Sequence, residues 1–145
     1  MTSGYAGGDA WSTPFAAMRQ LRAAWPSRGW SWDTRLSCLS SSFSVELEPK
    51  ARAAVLLALA TEWTPSTVQR APASLQDVAG RTGGLRPGQM LFSSGAVGSS
   101  LSSFAYGLWW PWGDGMTTST RIGLCGSQAT EAAFQRLREL FGVEL

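Results

Sequence analysis

The sequence contains no histidine. That absence removes the commonest general base at neutral pH, the serine and cysteine triads that depend on it, and histidine metal sites. Catalysis would have to rest on carboxylates, cysteine, lysine or arginine. Lysine is nearly absent too, Lys50 standing alone beside eleven arginines, and the formal net charge is only +2. Nucleic acid is therefore not an expected partner, because such domains carry a clustered basic footprint. The two cysteines, Cys38 and Cys125, lie far apart and form no CxxC spacing, so no metal is expected, no other cofactor is called for, and reduced thiols are the default. No long apolar run occurs either. The longest, Ala53 to Ala60, falls well short of a membrane span, and the start, MTSGYAGGDAW, lacks the basic and apolar regions of a signal peptide. The expectation is a soluble, cytoplasmic protein with no membrane partner.

What the chain does have is a composition suited to a core. It has 145 residues, 44% hydrophobic and 15% charged, which argues for one compact domain with a thinly charged surface. Residues 1–10 are Gly-rich and aperiodic and are expected to form a flexible leader, with the domain over 11–145.

The periodicity then predicts an α+β order. A first helix, capped by Ser12 or Thr13, carries Phe15, Met18, Leu21 and Trp25 at helical spacing up to Pro26. From Trp30 the period becomes two, with Trp30, Trp32, Leu36 and Cys38 on one face. The run Ser40 to Ser42 predicts a turn, and Phe43, Val45 and Leu47 alternate as the second arm of a hairpin. Glu48 and Pro49 open a second helix with Val55, Leu56, Leu59 and Trp63 on one stripe, ended by Thr64 and Pro65. Ser74, three residues before Asp77, starts a short helix that glycines close. Met90 to Ser93 is a strand. The densest aromatic stretch, FAYGLWWPWGDGMTTSTRIGLCG over Phe104 to Gly126, is a hairpin turning at Pro111 to Gly115. Its first arm sets Phe104, Tyr106, Leu108 and Trp110 against Ala105, Gly107 and Trp109. The last helix buries Ala133, Phe134, Leu137, Leu140 and Phe141 and stops at Gly142.

The resulting order is α-β-β-α-(α)-β-β-β-α, a mainly antiparallel sheet of about five strands with helices packed on it. It resembles the roadblock and longin domains in element order over most of the chain, the short helix being an extra. That resemblance implies a dimeric regulator or scaffold. It is a likeness of topology, and fold alone does not fix function.

Site candidates follow from chemistry. Cys125, in GLCGS between a strand and a helix, could be a thiolate favoured by the helix dipole, with packing as the plainer reading. Glu46 and Glu48 would share a strand face, a carboxylate pair more simply read as a solvated face. Asp114 in WGDG is a turn residue first. GRTGGLRPG and GAVGSS fit neither phosphate-loop pattern and are read as turns. The stretch Arg19 to Arg35 interleaves arginines with Trp25, Trp30 and Trp32, a stacking-platform composition whose plainer reading is core or interface tryptophan with solvated arginines.

The remaining signal is eight tryptophans, more than a small core readily hides and a residue type concentrated in binding hot spots. The leading expectation is a non-enzymatic protein–protein interaction module: a regulatory or adaptor subunit, or a small inhibitor or immunity-type protein, homodimerisation being one form of it. Trp109, Trp110, Trp112, Asp114, Trp30 and Trp32 are the binding candidates. The alternatives are a thiol-dependent enzyme or redox protein using Cys125, and a small-ligand binder with an aromatic pocket between Trp109, Trp110 and the pair Trp30 and Trp32.

Overall fold

Two strands, β5 (Phe104–Pro111) and β6 (Thr117–Cys125), form the central hairpin of a six-stranded, wholly antiparallel sheet. The computed structural model describes residues 10–27, 29–98 and 101–144, so most of the expected leader lies outside the described residues. The other strands are β1 (Ser31–Asp33), β2 (Cys38–Ser44), β3 (Thr61–Trp63) and β4 (Met90–Ser93), in the order β1-β2-β6-β5-β4-β3. The helices are α1 (Ser12–Ala24), α2 (Glu48–Ala58), α3 (Ala73–Arg81) and α4 (Glu131–Leu140). The fold is α+β, as the periodicity implies, with six strands where about five were expected.

The sheet is buried on both faces, but unequally. Ala105, Trp109, Leu39, Phe43, Phe92, Ile122 and Leu124 meet α1, α2 and α4 on the first face, which holds the larger core. Phe104, Tyr106, Leu108, Cys38, Leu91 and Cys125 form a smaller core on the second face with Leu75 and Val78 of α3. Phe104, Tyr106 and Leu108 thus lie on the opposite face of the sheet from Ile122 and Leu124. Glycine permits this two-sided packing. Tyr106 lies flat over its cross-strand partner Gly123, where a Cβ would stand 2.6 Å from the ring carbon bearing the hydroxyl.

Several local expectations shift. The β1–β2 turn falls at Thr34 to Ser37, not at the serine run. Asp33 Oδ1 accepts hydrogen bonds from the backbone N–H of Arg35 (2.9 Å) and Leu36 (3.2 Å), and Ser37 takes φ 53°. The serines instead sit inside β2, where Ser41 receives the Trp25 indole N–H at 3.1 Å and Ser42 meets Ser119 at 2.8 Å. Buried partners thus make a turn-like composition into a strand.

The strand ends at Ser44. Val45 to Leu47 form a 3-10 turn, and Glu48 stands in the first turn of α2. Glu46 and Glu48 therefore do not share a strand face; the Glu48 carboxylate is engaged by the buried Thr118 hydroxyl. α2 stops at Ala58 rather than at Trp63, burying Ala51, Ala54 and Val55 while Leu56 and Leu57 turn outward. Thr61 to Trp63 pair with β4, and the Trp63 indole donates to Ser93 Oγ at 3.1 Å. Sheet pairing here overrides a stripe at helical spacing. α1 begins after Trp11, with no side-chain cap from Ser12 or Thr13. Thr130 does cap α4, accepting from the Ala133 N–H at 3.2 Å, and Gly142 beyond it takes φ 67°.

Candidate functional site

α3 has nine residues, roughly 13 Å of helix, too short to roof strands of eight and nine residues from end to end. β2 records the consequence. Near its start the second-face residue Cys38 is buried, but further along Ser42 and Ser44 are exposed while first-face Ser41 and Phe43 stay buried. The second face is therefore covered by α3 at one end, and at the other by no helix among the described residues, Ser119 there being buried although Ser42 and Ser44 beside it are exposed.

Three expected site residues reach this open half or its rim. Trp110 is half-buried, with the Arg121 guanidinium 4.5 Å from its ring centroid. Trp112 is 50% exposed and turns back over the sheet, its indole N–H donating to Ser119 Oγ at 2.7 Å. Asp114 closes the hairpin. Its Oδ1 accepts from the N–H of Met116 (2.8 Å) and Thr117 (3.0 Å), and its Oδ2 from the Thr117 hydroxyl (3.1 Å). Hydrogen bonds led by that from Met116 hold the Asp114 carboxyl below its usual range. Its observed work is to shape the turn.

The other candidates lie elsewhere. Trp109 has the opposite strand parity to Trp110 and is core, 4% exposed, edge-on to Phe43 at 5.7 Å and to Phe92 at 6.2 Å. It is not on the surface. Trp30 packs on Trp25 at 4.8 Å and Phe141 at 5.0 Å, and Trp32 lies beside Phe134 with the Arg138 guanidinium 4.7 Å from its ring. Both belong to the first-face cluster. Since Trp109 and Trp110 point to opposite faces, no aromatic pocket forms between them and the Trp30–Trp32 pair. Trp25 is buried as well, so the described residues of the Arg19–Arg35 stretch present no continuous aromatic platform.

Cys125 does not occupy the expected thiolate position. α4 starts only at Glu131, and the thiol is buried beneath α3 at the edge of a cleft lined by Ser74, Asp77, Arg81 and Phe134. Burial pushes its pKa up, outweighing the Ser74 hydroxyl, the Phe104 backbone and the Arg81 charge, which pull it down. Burial likewise pushes Cys38 up to about 11. At neutral pH both are thiols. In the native protein an aromatic disulfide reagent should modify neither within minutes, and in guanidinium chloride both free cysteines should react. Rapid native labelling of Cys125 would reopen the thiol chemistry.

The open half also contains groups the sequence did not single out. Arg121 Nε lies 3.5 Å from Asp33 Oδ2. Burial raises the Asp33 pKa, but the N–H groups of Leu36 and Arg35 and the charges of Arg121 and Arg35 together hold it below normal. Beside this pair is a cleft of about 510 Å³, lined by Arg35, Leu36, Arg81, Thr82, Gly83 and Trp110. Strand parity places Arg121 with Trp110. Only the tertiary fold brings Arg35 and Arg81 to them.

Among the described residues no three His, Cys, Asp or Glu side chains gather as a metal site, and no helix is long and apolar enough to cross a membrane. Compared with protein families, curated proteins and solved structures, the chain matches none of them. The functional reading rests on the site itself.

Proposed function

We propose that the protein is a non-enzymatic protein–protein interaction module whose contact surface is the open half of the second sheet face, centred on Trp112 with Trp110 beside it. The observation that carries this reading is the half-exposed Trp112 ring, its indole bonded to Ser119 at a strand end that no helix among the described residues roofs. An exposed tryptophan fixed in one rotamer loses little entropy on binding and contributes a large apolar area, and Trp and Arg are the side chains that dominate interface energetics. Met116, 65% exposed at the same hairpin tip, and Val45, whose N–H donates to the Met116 carbonyl at 2.8 Å, extend the apolar surface. A regulatory or adaptor subunit and a small inhibitor or immunity-type protein would both use such a surface, and a second copy of the chain is one form of partner.

Trp112→Ala tests it. The substitution should reduce recovery of the co-purifying partner, or of the dimer in light scattering, at least tenfold. Because the ring is half exposed, the fold should lose no more than about 1 kcal/mol. Unchanged assembly and partner recovery in the variant would remove this surface from consideration.

A further inference from the structure

We propose that the cleft between the β1–β2 turn, the end of α3 and Trp110 is a binding site for a small organic anion: a carboxylate or phosphate monoester carried on a planar apolar body. This goes beyond the protein-contact reading and does not depend on it.

Charge is the first argument. Arg35 and Arg81 both line the cleft and are exposed, and among the described residues neither has a carboxylate within ion-pair distance. Asp33, whose carboxylate also feels the Arg35 charge, is already engaged by the N–H groups of Arg35 and Leu36 and by Arg121. Asp77, one turn before Arg81 on α3, lines the neighbouring cleft together with Arg81, which borders both clefts, and no ion pair joins the two. Two guanidinium groups without a direct ion pair thus gather at one small site in a chain whose whole formal net charge is +2. The carbonyls at the end of α3 do not cancel them. Ala79 accepts from the Thr82 and Gly84 N–H groups and the Thr82 hydroxyl, and Gly80 accepts from the Gly83 N–H. Their acceptor capacity is taken up within the helix end.

Shape and floor are the second argument. About 510 Å³ falls within the range of small-molecule sites. Leu36 and Trp110 supply the apolar lining, and Arg121 already lies against the Trp110 ring, so the indole is held in place before any ligand arrives. The Trp110 indole N–H is buried without a hydrogen-bond partner among the described residues. Guanidinium groups bind carboxylate and phosphate in forked pairs, and an indole takes a planar group by stacking or by its edge.

Such chemistry can come from a free small molecule or from an acidic side chain next to an aromatic one on another protein. Phenyl phosphate and benzoate represent the first source, and the capped dipeptide Ac-Phe-Glu-NH2 the second. The readout is the Trp110 indole resonance in nitrogen–proton NMR spectra, assigned with Trp110→Phe. At least one anionic probe should shift it with millimolar affinity, while benzyl alcohol leaves it in place up to about 10 mM. The stronger probe identifies the source. Arg35→Gln with Arg81→Gln should weaken binding at least tenfold, and the charge-matched pair Arg19→Gln with Arg86→Gln, away from the cleft lining, should not. Failure of every anion to move the resonance, an equal shift by benzyl alcohol, or unaltered binding in the Arg35 and Arg81 double variant would each overturn the site. The Trp112→Ala partner test stays separate, because Trp112 does not line this cleft.

Discussion

Trp109→Ala is expected to destabilise the protein by about 3–5 kcal/mol, lowering the midpoint of thermal unfolding by roughly 10 °C or more. The ring sits at the centre of the larger core, 4% exposed, with Phe43 and Phe92 edge-on to it and Thr120 opposite on β6. Neighbours on two other strands cannot close over the space left behind without moving the sheet. A loss of that size is a large part of the whole stability of a domain this small. Circular dichroism through a denaturant series reads it directly. A cost below about 1 kcal/mol would mean that the ring is not enclosed as described.

Gly126→Ala should be comparably damaging, for a different reason. Gly126 follows β6 with φ 96°, in the region an L side chain enters at a cost of about 1–2 kcal/mol. A Cβ there would also stand 2.0 Å from the Ser102 carbonyl oxygen and 2.5 Å from Ser103 Cα. Both obstacles are backbone, so no rotamer change relieves the clash. The segment entering β5 would have to move, disturbing the 2.9 Å bond from the Gln128 N–H to Ser103 Oγ. The expected loss is about 3 kcal/mol or more. Gly113→Ala is the control. Nothing lies within 4 Å of its added methyl and its φ is not in the left-handed region, so it should stay within about 0.5 kcal/mol of the parent. Equal stability of the two variants would contradict the packing of Gly126 against Ser102 and Ser103.

The contrast between Trp109 and Trp112 also shows how much the sequence alone could reveal. Strand parity puts Trp109 and Trp110 on opposite faces of β5, and the alternation of Phe104, Tyr106 and Leu108 with Ala105 and Gly107 was legible. Parity does not say which face meets more helix, because both faces of this strand are apolar. The answer lies in close contacts: Gly107 leaves room for Leu59 of the helical layer, and Gly123 leaves room for the Tyr106 ring on the other side. Local composition misled where a distant partner decided the outcome. Ser40 to Ser42 look like a turn until Trp25 and Ser119 supply their hydrogen-bond partners. Trp63 fits a helical stripe until β4 offers an edge to pair with. The anion cleft was the least legible part. Arg35 lies in a turn whose place depended on Asp33, and Arg81 ends a helix on another layer, so no spacing in the chain joins them.

The central claim, that the open half of the second sheet face is the contact surface while Trp109 only supports it, is tested most directly by one paired measurement. Full-length parent and Trp112→Ala are isolated from cells that normally make the protein, and retained partner is quantified beside the unfolding midpoint of each. The account expects at least a tenfold loss of partner with the midpoint changed by no more than a few degrees. Full retention of the partner by a folded Trp112→Ala protein would contradict it.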